Sequence, residues 1–110
     1  MATLFKNKLY SELGTTETTV LTTESNAKTT VIGLSLTNLT DSVQLASIRI
    51  VDTVAGTSAF YIKDTLLPPN QSLRVINGGE RLVLGPSTEI KIDSSSDESL
   101  DLVLSYVEIV

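Results

Sequence analysis

Thirteen acidic residues, with no histidine and no cysteine, set the chemistry open to this 110-residue chain. Without imidazole there is no Ser-His-Asp triad and no His-ligated metal. Without thiol there is no Cys-His pair, no zinc knuckle and no disulfide framework. Paired carboxylates are the remaining route to acid–base work. Their densest run is DSSSDESLD, which holds Asp93, Asp97, Glu98 and Asp101. Carboxylate and carbonyl oxygens there could bind calcium weakly, but the Gly and closing Glu of an EF-hand loop are missing. A solvated connection between strands is the plainer reading. Asn77-Gly78-Gly79-Glu80 lacks the Lys and the helix of a phosphate cradle. Asn38-Leu39-Thr40 and Asn70-Gln71-Ser72 match the N-glycosylation pattern, a match that chance supplies in a chain with 28 Ser and Thr. The expectation is a non-enzymatic protein with no catalytic, cofactor-binding or metal-binding residue and no cofactor.

The elements that would position any site are read from composition and period. The chain has 16 Leu, 10 Val and 8 Ile against five aromatic residues and no Trp, so its core must be aliphatic. Thr, Val and Ile fit the pleated, half-buried surface of a sheet. A length of 110 residues makes one domain and one core. The net charge of −5, with eight scattered basic residues, disfavours nucleic acid as a partner. No apolar run approaches the length of a membrane helix, so no membrane partner is expected. The N-terminal MATLFKNKLYSEL lacks the apolar core of a secretory signal, which predicts folding in a cytoplasm.

Strand signals recur at short intervals between turn residues, the spacing of a sandwich or barrel. LFKNKLYSEL has no clean helical stripe and reads as an extended arm over residues 1–13, anchored by Leu4, Phe5, Leu9 and Tyr10. Thr16–Thr23 reads as a strand whose sparse apolar content marks an outer or edge position. Lys28–Asn38 alternates with Thr30, Ile32, Leu34 and Leu36 on one face. In the next strand Ala46, Ile48 and Ile50 share a face, and a bulge is expected near Gln44–Leu45. Ser58–Leu66 is stopped by Pro68-Pro69, and its Phe60-Tyr61 pair is expected to put one ring in the core and one at a rim. Asn77-Gly78-Gly79 predicts a hairpin pairing SLRVI with RLVL. Ile90 and Ile92 share a face, as do Leu100, Leu102, Leu104 and Tyr106. The sum is an all-β, antiparallel β-sandwich of about eight short strands, jelly-roll or Ig-like, over residues 14–110, with an extended N-terminal arm.

KNKLYSELGTTETTVLTT, KTTVIGLSLTNLTDSVQLASIRIVD, LPPNQSLRVINGGERLVLGPSTEIKIDSS and SLDLVLSYVEIV together resemble the small accessory virion proteins of tailed bacteriophages. The resemblance implies a structural module located in the virion and made in the host cytoplasm. It implies a capsid decoration (cement) protein first, then a neck, head–tail junction or tail/fibre-associated component. The implied partners are the major capsid protein or neighbouring neck and tail proteins, with self-association into a homo-oligomer. Both ends of the chain are apolar, where free ends are usually polar. They are expected to dock into the sheet ahead of packing on a neighbour. The candidate interface residues are Leu4, Phe5, Leu9, Tyr10, Tyr106 and Ile109. Arg49, Arg74 and Arg81 are either partner anchors or exposed charges that blunt aggregation. A carbohydrate- or receptor-binding β-domain is the competing class. It would need an aromatic platform, which five aromatic residues supply poorly.

Overall fold

The computed structural model describes residues 2–76 and 80–110. They form nine strands: β1 (Thr3–Leu13), β2 (Thr18–Thr22), β3 (Lys28–Asn38), β4 (Gln44–Asp52), β5 (Thr57–Leu67), β6 (Ser72–Ile76), β7 (Leu82–Leu84), β8 (Thr88–Ser94) and β9 (Leu100–Ile109). One sheet runs β1-β9-β3-β6, with β7 also on β3, and the other runs β2-β8-β4-β5. Every pairing is antiparallel. The all-β sandwich expected from the sequence is therefore the observed architecture. Successive strands mostly change sheet, and β4–β5 is a hairpin within one. That winding is the jelly roll rather than the Ig-like alternative.

The core is aliphatic and lies between the sheets. β9 supplies Leu100, Leu102, Leu104 and Tyr106, β8 supplies Ile90 and Ile92, and β4 supplies Ala46 and Ile48. These follow the alternation read in the sequence. Each fully buried Leu or Ile contributes about 1.5–3 kcal/mol, so the central strands β9 and β8 carry much of the stability.

Alternation fails where the ladder bulges. In β3 the pairing with β9 shifts between Val31 and Gly33. Val31 therefore faces the core with Leu34 and Leu36, while Ile32 is exposed, against the expectation that it shares their face. A bulge between Thr19 and Leu21 likewise buries both Val20 and Leu21 of β2. β2 is an edge strand, as its composition suggested. Gln44 and Leu45 pair regularly with Leu67 and Leu66, so the expected bulge is not there. The irregularity falls between Ala46 and Arg49, where β5 carries the extra residues. One of these, Asp64, has φ 47°, and its N–H donates to Ser47 Oγ at 2.9 Å.

The predicted hairpin of SLRVI with RLVL is also corrected. Its turn, Asn77-Gly78-Gly79, lies outside the described residues. β6 and β7 each pair with β3, at Leu34–Thr37 and at Thr29–Val31. The 11-residue β3 is long enough to carry both end to end. Ile76 and Leu84 enter the core from these two strands.

Candidate functional site

The N-terminal segment expected as an arm is strand β1, paired with β9 from Thr3↔Ile109 to Leu13↔Leu100. It closes the edge of β9 and, among the described residues, leaves its own outer edge unpaired. On one face of this pair Phe5 stands opposite Val107, and Leu9 opposite Val103. Phe5 is 79% exposed and Leu9 68%. The polar pair Asn7 and Ser105 stands between these two positions; Val103 and, on β3, Ile32 are also exposed, and Val83 of β7 stands at 74% exposure beside Thr30. Phe5 and Leu9 were among the residues named from the sequence; Ile32, Val83 and Val103 were not. Val103 was legible as the face opposite Leu102 and Leu104. Ile32 was hidden, because only the bulge turns it outward.

The remaining candidates divide. Leu4 and Ile109 are partly exposed at the chain ends, and Tyr10 packs against the core. Tyr106 is 4% exposed and belongs to the core, so it offers no surface to a partner. On the other face of β1, Lys6 Nζ donates to Glu108 Oε1 at 2.9 Å. Glu108 is 6% exposed, and its carboxylate holds the Lys6 ammonium above its ordinary value. Ala2 and Val110 exchange backbone hydrogen bonds of 2.7 and 2.9 Å, so both chain ends are tied into this sheet.

Several charged side chains are spent on the fold. Arg49 donates from Nε to Glu17 Oε2 at 3.0 Å and from Nη2 to Glu17 Oε1 at 2.6 Å, a two-pronged pair. It holds the Glu17 carboxyl below its ordinary value. Asp93 lies near this pair, and burial raises its carboxyl first, with Glu17 and Asp64 adding repulsion. Asp97 accepts the Thr15 N–H at 3.0 Å and the Thr15 hydroxyl at 2.9 Å, which lowers its carboxyl. Asp101 accepts the Glu12 N–H at 3.1 Å. The acidic run considered for calcium thus fastens the β1–β2 connection, and no metal-holding group of three acidic side chains occurs among the described residues. Asn38, of the first glycosylation pattern, is buried, and its amide donates to the Ser42, Leu67 and Pro68 carbonyls. Phe60 turns its ring outward with Lys63 Nζ 5.2 Å from the ring centre, while Tyr61 packs on the core.

No family model and no curated protein matches the chain. Solved structures share its fold, two of them as follows. A chain of the T13 infectious bursal disease virus (IBDV) particle superposes with a TM-score of 0.55 at 11% identity, over 96% of this chain and 30% of the viral chain. A subunit of Bacillus endospore appendages, described as disulfide-linked pili, superposes with a TM-score of 0.52 at 9% identity, over 98% of this chain and 88% of that one. The present chain spans less than a third of the viral chain. Both likenesses establish the sandwich fold.

Proposed function

We propose that this chain is a non-enzymatic structural subunit of a virion, acting as a decoration (cement) protein on the assembled shell of a tailed bacteriophage. The observation that carries the reading is the exposure of Phe5, Leu9, Val103 and Ile32 on a sheet whose outermost strand has a free edge. Exposed edge strands promote pairing with other chains, and several large apolar side chains exposed on one face mark an interaction site. Both structural likenesses are to chains taken from large assemblies, which agrees with a building-block role. A cement subunit that binds the closed shell in preference to free capsid protein stabilises the shell by mass action.

Tail or fibre placement is the second reading. It is favoured by the likeness to nearly the whole of a chain from spore appendages described as pili. The test is co-sedimentation of the purified chain with emptied shells, and separately with tails, of the phage whose genome carries the gene. Binding to shells supports cement, and binding to tails alone moves the chain there. A strict monomer by light scattering that binds neither overturns the structural reading.

A further inference from the structure

β1 is fastened to the rest of the molecule almost entirely through one neighbour. Residues Thr3–Leu9 are exposed, Tyr10 is half-buried, and only Leu13, at the end of the strand, enters the core. What holds the exposed part is its ladder with β9, the Lys6–Glu108 pair and the exchange between Ala2 and Val110. Its partners therefore lie on the C-terminal strand and the residue that follows it, and a second copy of this chain can supply the same surface.

β9 in turn requires a strand with the chemistry of β1. Without one, a long central strand would present a row of free N–H and C=O groups. Glu108 would also lose the cation that compensates a carboxylate whose side chain is 8% exposed. An incoming strand must bring a Lys opposite Tyr106 and a Tyr opposite Leu102, as β1 does with Lys6 and Tyr10.

The connection after β1 is strained when the strand lies on its own chain. The register slips between Tyr10 and Leu13, and Glu12 sits in the left-handed region at φ 56°. A non-glycine residue there is disfavoured, and extending the segment would release that cost. Short connections under strain favour exchange of an identical element between copies. We propose that β1 is an exchangeable strand, which leaves its own β9 and pairs with β9 of a second copy, hinging at Ser11–Glu12. Local concentration favours the closed form in dilute solution, and crowding of copies on a lattice favours exchange.

This deepens the assembly reading, and rests on it for the need to associate. The chain has no cysteine, so cross-links report contacts cleanly. Asn7 and Ser105 are register partners on the outward face. Asn7→Cys and Ser105→Cys chains are purified apart, mixed at high concentration just below the unfolding temperature, and oxidised. The expected product is a disulfide-linked pair joining the two different variants, several-fold in excess of either symmetric pair. Symmetric pairs as abundant as the mixed pair, or no linked pair, would overturn the exchange. Leu9→Cys with Val103→Cys, also register partners, repeats the test at a second position. The double variant Asn7→Cys/Ser105→Cys, oxidised when dilute, should be locked closed and lose the self-association of its reduced form. Equal association in both forms also overturns the proposal. Glu12→Gly, which relieves the closed hinge, should lower the yield of mixed pairs, and an unchanged yield removes the hinge. Cross-linking without shell binding keeps the exchange and removes the virion placement. Shell binding undiminished in the locked double variant does the reverse.

Discussion

Asn38 shows at the scale of one residue how a polar side chain can organise a buried corner. Its amide donates to three carbonyls, and its Oδ1 accepts the Thr40 N–H at 2.9 Å and the Thr40 hydroxyl at 2.8 Å. Asn38→Ala leaves those buried groups unpaired and should cost about 3 kcal/mol by urea unfolding. The pH response is also set by single groups. The Glu17 and Asp97 carboxyls are lowered in the folded chain, by the Arg49 hydrogen bond and by the Thr15 N–H. Their support is present above the ordinary carboxylate range and is lost as pH falls through their lowered values. Asp93 has the opposite sign, because burial raises its carboxyl. The folded form then holds its proton longer, and stability declines as pH rises from the ordinary value to the raised one. Asp93→Asn should raise the melting temperature at neutral pH, and the gain should vanish as pH falls below the ordinary carboxylate range. Thermal scans across pH measure both slopes; a gain that persists in acid would contradict the burial cause.

At the scale of an element, β1 and the turn after it do different work. Deleting residues 2–10 removes exposed side chains and the half-buried Tyr10 but spares Leu13, whose carbonyl accepts the Ser99 N–H at 3.0 Å. The truncated chain should keep the strand signal of circular dichroism, melt at lower temperature and associate more weakly. Gly14 is more demanding. A Cβ there would stand 2.5 Å from Asp97 Oδ1 and 2.9 Å from Asp97 Cα, so the loop backbone would have to move. Gly14→Ala should cost about 1–3 kcal/mol by denaturant unfolding.

At the scale of the whole molecule, the two sheets leave a free edge at β1 and exposed apolar side chains beside it. Phe5→Ser with Leu9→Ser should leave unfolding free energy within about 0.5 kcal/mol, because both side chains are already in water. The same double change should weaken self-association and binding to shells or tails. Sedimentation velocity beside urea unfolding separates the effects; equal loss of both would place these side chains in the fold instead.

Period and turn chemistry by themselves determined the fold class, the aliphatic core and the inward faces of β8 and β9. Those strands lie in the middle of their sheets, where alternation between core and outer face is enforced along the length. The edge character of β2 was legible too, because a strand with few apolar residues can bury little. Phe5 and Leu9 were legible as candidates from apolar character near a chain end. Tertiary structure decided the rest. It placed β1 on β9 and turned Ile32 outward at a bulge. It also laid β6 and β7 along β3 rather than on each other. Each of these depends on pairing between distant segments. A bulge shifts the face of every later side chain while leaving the local sequence pattern unchanged.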